Sequence, residues 1–292
     1  NFCADEAFKE IKRSGVNKDM LSIDSYAELM FRDELFRIMP TYNELLKIIG
    51  EESLSDKNLD LSNEQKYVLL VDIVDGTDLL ERRLANWCSA VIIYHPEDKS
   101  IIASFVLRPD DGIIYYARHD QKGAYKCYLN DLNEESKAER IPLRKLAVTG
   151  PSTKTSISDA SVAFYGQKVN NFFSVANNGR FISYLRSTID KVKTKEISKP
   201  KTRIYNLAGN PMMIRMIDGI NKIDAVFDLE GQAPHDVAPG AYIAQKAGAV
   251  FCDIDGTLIN LEEFLLRPAE SRIKYFLTCT PELSEELRSL FR

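Results

Sequence analysis

Two aspartates, Asp72 and Asp75, stand three positions apart at the end of an apolar segment, and Gly-Thr follows them at once. The segment Val68–Val74 is rich in branched residues, which is typical of a strand that is buried on both faces. The residues after the pair, Leu79–Trp87, can form a helix. We therefore expect two carboxylates at a strand end, beside a helix start that can receive a phosphate. Taken alone, the stretch is equally compatible with an Asp-Gly turn after a core strand and with Asp78 as a helix cap.

Further acidic residues lie at the edges of apolar segments, at Glu51-Glu52 and at Asp236. Carboxylates gathered at such edges repel one another and raise one another's pKa unless a cation lies among them. An oxygen-only ligand set with no Cys or His nearby selects a hard ion, above all Mg²⁺. The amide N–H groups of Gly76 and Thr77 are suited to bind phosphate oxygens, because glycine lets a ligand approach the backbone closely. The combination predicts phosphate hydrolysis by a metal-activated water. For Asp236 alone, a helix N-cap is the alternative.

The chain has 292 residues and is 45% hydrophobic, which is enough to bury the core of one large domain or two modest ones. Its net charge of −5 and its lack of a long basic block argue against a nucleic-acid partner. No apolar run approaches the ~20 residues that span a bilayer, which argues against a membrane partner. The basic run Lys191–Lys201 is expected to be a solvated loop, and the alternative is a positive wall for an anionic substrate.

The five cysteines are an odd number and are scattered, mostly in apolar stretches. We interpret them as buried free thiols of a protein in a reducing compartment and expect a cytoplasmic location. The chain has no CxxC pair, and its histidines are His95, His119 and His235. These numbers argue against a zinc site.

Hydrophobic spacing and turn residues predict the order of the elements. A helix is expected from Asp24, a candidate N-cap, to about Ile38, and Glu44–Ile49 is suited to a strand or a helix end. Short β-rich runs separated by turn signals predict an antiparallel meander. Its expected strands are Cys88–Tyr94, Ile101–Leu107, Ile113–Ala117 and Ala124–Tyr128. Segments outside this core are expected to be a short helix over Asp5–Arg13 and surface loops over Leu54–Gln65 and Asn130–Arg140.

Beyond about residue 150 the sequence alternates between helical and β-rich segments, which is typical of an α/β half packed on an α+β half. The expected strands there are Ser161–Tyr165, Ile223–Phe227, Ala249–Cys252 and Lys274–Cys279. Helical spacing is expected over Arg203–Ile220, Val237–Lys246 and Pro281–Phe291.

These residues resemble the inositol monophosphatase family of Mg²⁺-dependent, lithium-sensitive phosphatases, whose superfamily includes fructose-1,6-bisphosphatases and 3′-phosphoadenosine nucleotidases. Three motifs in the family's order carry the resemblance, and it extends over almost the whole chain. The motifs are Gly50-Glu51-Glu52-Ser53, Asp72-Ile73-Val74-Asp75-Gly76-Thr77 and His235-Asp236-Val237-Ala238-Pro239-Gly240. The family patterns for the last two are Asp-Pro-x-Asp-Gly-Thr and Trp-Asp-x-Ala-Ala-Gly. The chain departs from them at Ile73, His235 and Pro239.

The resemblance implies a layered αβαβα sandwich of mixed α+β and α/β type, with an antiparallel sheet in the N-terminal half and a mixed sheet in the C-terminal half. We expect an N-terminal domain over residues 1–150 that carries most metal ligands. The C-terminal domain, residues 151–292, would carry Asp236 and the elements that select the substrate. The family is usually dimeric, so a homodimer is expected.

The resemblance also implies how two to three Mg²⁺ ions are bound. Glu51 and Asp72 would bind the first metal together with the carbonyl of Val74. Asp75 and Asp236 would bind the second, with Asp72 shared between the two. The substrate would be a small phosphorylated metabolite: an inositol phosphate or a sugar phosphate, with a 3′-phosphoadenosine nucleotide as a further option.

Roles in the reaction follow from the same resemblance. Thr77 and Glu51 would orient the attacking water, and Asp24 would pair with Thr77. The amides of Gly76 and Thr77 would bind the phosphate. Substrate specificity would lie in loops, here expected over Gln167–Lys201 and Asn206–Asn210, and in the side chains of Asn210, Asp228 and Glu230.

Two other interpretations compete with this one. A relative that kept the fold could bind a phosphorylated ligand or partner with little or no turnover. Separately, Asp253-Ile254-Asp255-Gly256-Thr257 looks like the first motif of the haloacid-dehalogenase phosphatases, in which the first aspartate becomes phosphorylated. Only 39 residues follow Asp253 in the chain of 292, too few for the α/β domain which that fold needs after the motif.

Overall fold

The computed structural model describes residues 22–42, 44–51, 66–129, 146–197, 199, 201–219, 222–265 and 271–292. The expected helix over Asp5–Arg13 and the expected loops over Leu54–Gln65 and Asn130–Arg140 lie outside these ranges.

Within the described ranges the chain forms eight helices, twelve strands and two short 3₁₀ turns. The strands are β1 (Leu46–Gly50), β2 (Tyr67–Asp75), β3 (Cys88–His95), β4 (Ser100–Arg108), β5 (Ile113–Arg118), β6 (Tyr125–Tyr128), β7 (Leu146–Ala147), β8 (Ser161–Phe164), β9 (Arg203–Tyr205), β10 (Ala225–Gln232), β11 (Val250–Asp253) and β12 (Ile273–Thr278). The helices are α1 (Ser22–Ile38), α2 (Thr77–Glu81), α3 (Val169–Ala176), α4 (Gly179–Lys193), α5 (Asn210–Ile214), α6 (Pro234–Lys246), α7 (Leu261–Leu265) and α8 (Pro281–Phe291).

The first sheet has seven strands in chain order, β1 to β7. β1 and β2 are parallel, and each later pair is antiparallel. The meander predicted from the turn signals is therefore confirmed in β3 to β6. Lys99 closes the turn between β3 and β4. Its N–H donates a hydrogen bond to the carbonyl of Pro96, 3.3 Å away, and its backbone takes a left-handed φ of 49°.

The second sheet is mixed, with the strand order β11-β12-β10-β8-β9. β8 runs parallel to both β10 and β9, whereas β12 runs antiparallel to β10 and β11. The C-terminal strands and the closing helix α8 fall where the sequence places them, within one or two residues at most ends.

Helices and sheets alternate in five layers. α1 packs on β2, and α5 and α6 lie between the two sheets in a core that joins residues such as Ile92 of the first sheet to Val226 of the second. On the far side of the second sheet, α3, α4 and α8 cover a second core that includes Phe181 and Leu283. This arrangement confirms the predicted αβαβα sandwich. The division into two domains at about residue 150 stays a prediction.

Three element predictions are wrong in detail. The helix after Asp75 covers Thr77–Glu81 rather than Leu79–Trp87, because Arg83 and Asn86 take left-handed φ values of 57° and 84° that a helix cannot continue. The segment Arg203–Ile220, expected to be helical, instead forms β9 and the one-turn helix α5.

The third error concerns Gln167–Lys201, which was expected to be loop. It contains two helices, α3 of 8 residues and α4 of 15 residues. Asn178 caps α4 by accepting a hydrogen bond from the Phe181 N–H at 2.8 Å. Lys191 and Lys193 therefore lie in the last turn of α4, where positive charge favours the helix end.

None of the helices in the described ranges has both the length and the apolar character that a membrane crossing requires.

The second core makes a stability prediction. Phe276 on β12 is fully buried, with ring centroids 5.3 Å from Phe227 and 6.0 Å from Phe291. Phe276→Ala should lower the free energy of unfolding by about 3–5 kcal/mol, because it removes a buried ring and leaves a cavity. Urea unfolding followed by circular dichroism measures this. The control is Phe172→Ala: its ring is 43% exposed, so a loss as large as that of Phe276→Ala would contradict the assignment of Phe276 to the core.

Candidate active site

A cavity of about 420 Å³ opens where β1, β2, α5 and α6 end or begin. The carboxylates selected from the sequence converge on it from segments far apart in the chain. Its lining includes Asp24, Glu51, Asp72, Val74, Asp75, Gly76, Thr77, Gln167, Lys168, Asn171, Gly209, Glu230, Gly231, Gln232, Asp236 and Arg272.

A break in strand register brings Asp72 and Asp75 to the same cavity. Residues three apart on a regular strand face opposite sides of the sheet. Here Asp72 pairs with Ala90 but Asp75 pairs with Cys88, so β2 holds one extra residue between the two aspartates. Such a bulge re-aims the side chains that follow it, and both carboxylates consequently line the cavity. The hydroxyl of Ser89 donates a hydrogen bond to the Ile73 carbonyl inside the bulge at 2.7 Å.

Burial, followed by the charges of neighbouring carboxylates, raises the pKa values of this pair. Burial raises the pKa of Asp72 well above its usual range, and the charges of Asp75, Glu51 and Asp236 raise it further. Burial also raises the pKa of Asp75 well above its usual range, as does the charge of Asp236. The N–H of Asn210, 3.0 Å from Asp75 Oδ2, works in the opposite direction. Without a cation, the protein's own groups do not neutralise the negative charges of Asp72 and Asp75.

Glu51 and Asp236 form the other side of the group, with His235 between them. Nε2 of His235 lies 3.4 Å from Glu51 Oε1 and 3.6 Å from Asp236 Oδ1. Burial alone would raise the pKa of Glu51, but His235, with smaller contributions from Arg272 and Lys168, brings the net pKa below its usual range. The sequence-based premise that no histidine lies near the carboxylates is therefore wrong, because His235 was considered only as a replacement for a motif tryptophan.

The start of α6 positions Asp236 differently from the N-cap alternative. α6 begins at Pro234, three residues earlier than expected, so Asp236 lies within the first turn. Its Oδ2 accepts a hydrogen bond from the N–H of Ala233 at 3.1 Å, and Arg272 Nη1 is 3.8 Å from the same oxygen. Burial raises the pKa of Asp236 above its usual range, although the charge of His235 lowers it.

Thr77 and Asp24 both line the cavity and are joined by a hydrogen bond. The Thr77 hydroxyl is 2.8 and 2.9 Å from the two carboxylate oxygens of Asp24 and 2.9 Å from the Val74 carbonyl. Asp24 lies in the first turn of α1 rather than at its N-cap, and 53 positions separate it from its partner. Gly76, which precedes α2, takes a φ of 99°, which is strained for any side-chain-bearing residue.

Asn210, expected to contact the substrate, is instead fully buried and does not line the cavity. Its amide is inserted into the bend of α6 at Pro239. Proline has no N–H to give to the carbonyl of His235 four residues earlier, and Asn210 Nδ2 donates to that carbonyl instead at 2.9 Å. Its Oδ1 accepts the N–H of Gly240 at 2.7 Å. We therefore regard Asn210 as a positioning residue that joins Asp75 to the start of α6.

The other two tentative substrate residues differ from each other. Asp228 is buried and does not line the cavity; its Oδ1 accepts hydrogen bonds from the N–H groups of Glu230 and Gly231, within the register shift of β10 between Asp228 and Gln232. Glu230 is exposed at the cavity wall and remains available to a ligand.

Two cationic side chains that were not predicted from the sequence, Lys168 and Arg272, also line the cavity. Both are close enough to lower the pKa of Glu51. Lys168 precedes α3 at its N-cap, and Arg272 stands just before β12. Because α3 was expected to be loop, the position of Lys168 could not be predicted from spacing.

The donor set fits a divalent cation. Four carboxylates face one cavity, two of them with pKa values held well above the usual range by burial and by each other, and a cation among them would remove that cost. Glu51, Asp72, Asp75 and Asp236 supply oxygen atoms, the ligands that hard cations prefer.

The dehalogenase-like segment is a structural turn. Oδ1 of Asp253 accepts the N–H groups of Asp255, Gly256 and Thr257 at 2.8–2.9 Å, and the residue does not line the cavity that holds the four carboxylates. An aspartate bonded in this way serves the backbone and is not presented as a nucleophile.

No family model matches the sequence, and no curated protein sequence matches it. Solved structures do match it over nearly its full length. A hypothetical protein from Pyrococcus horikoshii, described as having similarities to inositol-1 monophosphatase, is 18% identical, with 94% of this chain and 86% of that chain covered and a TM-score of 0.64. A calcium-bound IMPase-family protein from Staphylococcus aureus is 15% identical, with coverages of 98% and 89% and a TM-score of 0.62.

A third structure is a dual-specific IMPase/NADP phosphatase bound with D-inositol-1-phosphate; it is 15% identical, with coverages of 98% and 90% and a TM-score of 0.62. At these identities the likeness is one of fold. The chain therefore has the inositol monophosphatase fold, as the motifs predicted.

The carboxylates of the cavity lead to a prediction about the stability of the metal-free protein. A carboxyl whose pKa is raised on folding binds its proton more tightly in the folded state, so stability falls as pH rises from the ordinary value of about 4 through the raised value. Asp72→Asn removes the loss of stability that ionisation of this carboxyl causes. At pH 8 and without divalent cations it should raise the melting temperature by at least about 2 °C, the shift expected for 1 kcal/mol in a chain of this size.

The stabilisation by Asp72→Asn should shrink as the pH is lowered towards 4, and thermal melts between pH 4 and 8 in a chelator measure it. The control is Asp255→Asn, at an exposed turn, which should not move the melting temperature. A melting temperature lowered by Asp72→Asn at pH 8 would contradict the described electrostatics.

Proposed function

We propose that this chain is a phosphomonoesterase of the inositol monophosphatase family that hydrolyses a small phosphorylated metabolite with the help of divalent cations. The observation that supports this most directly is the convergence of Asp72 and Asp75 with Glu51 and Asp236 on one cavity. A protein that used these residues only for its structure would have little reason to bury like charges together.

Two to three divalent cations fit this group, and Mg²⁺ is the ion that carboxylate oxygens favour. Glu51, Asp72 and the carbonyl of Val74 would hold the first. Asp75 and Asp236 would hold the second, with Asp72 shared. When bound, the cations supply positive charge that offsets the charge of the phosphate ester and lowers the pKa of water.

Thr77 would orient the attacking water. A carboxylate and a carbonyl can only accept hydrogen bonds, so the single hydroxyl proton of Thr77 is donated to Asp24 or to the Val74 carbonyl. The lone pairs of Thr77 Oγ1 then remain to accept a hydrogen bond from a water molecule and to fix its direction. Glu51, which lines the same cavity, would accept the proton of that water.

The backbone at Gly76 would receive the phosphate. Its left-handed φ turns the chain from the end of β2 into α2, and a side chain added at this position would come 3.2–3.3 Å from Asn86 and Trp87. The amides of Gly76 and Thr77 would then donate to phosphate oxygens, as successive N–H groups in such turns do.

The cavity volume favours a small substrate rather than a macromolecule. Lys168 and Arg272 add positive charge at its wall, and Glu230 offers an acceptor for hydroxyl groups. Structures with this fold have been solved with D-inositol-1-phosphate, with 2′AMP and with NADP. We propose an inositol phosphate or a sugar phosphate as substrate, with a phosphoadenosine nucleotide as the next candidate.

We also propose a homodimeric, cytoplasmic enzyme that is inhibited by lithium and has neither nucleic-acid nor membrane partners. These properties rest on the resemblance and on the composition of the chain.

The first prediction tests the activity itself. With Mg²⁺ present, the protein should release phosphate from at least one member of a panel of inositol phosphates, sugar phosphates and adenosine 3′,5′-bisphosphate. Asp75→Asn should lower that rate by at least about 100-fold, the usual cost of removing a group that stabilises transition-state charge. A melt of the variant checks that it is folded. Tight binding without release from any substrate would instead favour a non-catalytic relative.

The second prediction concerns the hydroxyl that orients water. Thr77→Ala should lower kcat by at least about 100-fold, because the water loses its acceptor, and should leave KM nearly unchanged. Thr77→Ser keeps the hydroxyl and is the matched control, which should retain most of the activity. Equal losses in the two variants would show that Thr77 matters for packing rather than for the reaction.

A further inference from the structure

His235 occupies an unusual position inside the carboxylate group. Its Nε2 atom points between Glu51 Oε1 and Asp236 Oδ1, at 3.4 and 3.6 Å, and the ligand-capable atoms of the three residues lie within 4.8 Å of one another. The residue is only 8% exposed, and within the described part of the chain Nε2 makes no hydrogen bond of good geometry. A buried nitrogen in that state costs free energy unless something binds it.

The surroundings fix the imidazole and the two carboxylates towards one another. The His235 carbonyl is held by Asn210 Nδ2, which anchors the backbone at this residue. Oδ2 of Asp236 is engaged by the N–H of Ala233, so Oδ1 is the oxygen left facing the imidazole. Glu51 is the least buried of the three, with 44% of its side chain exposed, and can adjust.

The distances agree with a shared cation. Transition ions bind imidazole nitrogen and carboxylate oxygen at about 2.0–2.2 Å. Neighbouring ligand atoms around such an ion are then about 3.0–3.5 Å apart, which is close to the 3.4 and 3.6 Å that separate His235 Nε2 from the two carboxylate oxygens.

We propose that Nε2 of His235 is a metal ligand and that the corner formed by Glu51, His235 and Asp236 binds a divalent transition ion, of which Mn²⁺ is the probe, in preference to Mg²⁺. The inference rests on the proposed metal-dependent function, and the ion at this corner would be the third of the two to three ions proposed, beside the two that share Asp72. The chemical reason is that Mg²⁺ binds oxygen and takes nitrogen poorly, whereas imidazole suits transition ions and carboxylates accommodate Mn²⁺.

The competing explanation is that a protonated His235 forms an ion pair with Glu51 and Asp236 and coordinates nothing. The two explanations differ in one observable. Only a ligand places a nitrogen nucleus in contact with the metal.

The experiment uses the full chain, stripped of metal with a chelator and loaded with Mn²⁺. Pulsed electron paramagnetic resonance should detect coupling of the Mn²⁺ electron spin to an imidazole nitrogen. Labelling histidine with ¹⁵N should change the coupling frequency, and His235→Gln should abolish it. The control is His119→Gln, at an exposed turn, which should leave the coupling as it is.

Metal binding by calorimetry gives the second readout. His235→Gln should weaken Mn²⁺ binding by at least about tenfold, since even outer partners of metal ligands contribute about 10–100-fold. Mg²⁺ binding should change much less, so the Mn²⁺/Mg²⁺ preference should fall. An unchanged preference in the folded variant would overturn the proposal, as would a wild-type protein whose bound Mn²⁺ shows no nitrogen coupling; the latter decides the matter even if the variant does not fold.

Neither readout depends on turnover. Nitrogen coupling without phosphate release would leave the ligand assignment standing and reject the enzyme. Phosphate release without nitrogen coupling would support the enzyme and reject the assignment of His235 as a ligand.

Discussion

Repulsion among buried carboxylates is the constraint on which the rest of this structure depends. Asp72 and Asp75 face one cavity with Glu51 and Asp236, and burial together with mutual charge raises the pKa of the first two well above the usual range. The hydrogen bond from the Asn210 N–H to Asp75 offsets part of that cost. The proposed cations would complete the charge balance, and the cores on either side of the second sheet must provide the stability that the site does not.

The four carboxylates come from segments up to 185 positions apart, and the geometry that joins them depends on two irregularities. The bulge in β2 turns Asp75 to the side of Asp72. The bend of α6 at Pro239 opens a carbonyl and an N–H that Asn210 fills from α5. Each irregularity would cost stability in an ordinary strand or helix. Here each aims a carboxylate, which is the usual reason why such defects persist at functional sites.

Elements whose structure depends on local interactions could be predicted from the local sequence. Turn residues and β-branched runs were enough for the meander from β3 to β6, and Pro281 with its apolar spacing was enough for α8. The three motifs were enough to predict that the four carboxylates lie together. What could not be predicted depends on contacts between distant segments: the pairing of Thr77 with Asp24, the burial of Asn210 and the entry of Lys168 into the cavity. A single sequence contains no signal for such contacts apart from the resemblance, which suggested only the first.

The three departures from the family motifs have a common consequence. Ile73 lacks the fixed φ of proline, yet its carbonyl is held by the Ser89 hydroxyl at 2.7 Å, so a hydrogen bond from β3 fixes the bulge. Pro239 removes a helical donor, and Asn210 replaces it. His235 enters the carboxylate group without displacing any acid. All three changes alter how the carboxylates are held or what accompanies them, and none removes a carboxylate. The retention of all four carboxylates favours the proposed cation-binding function of this chain.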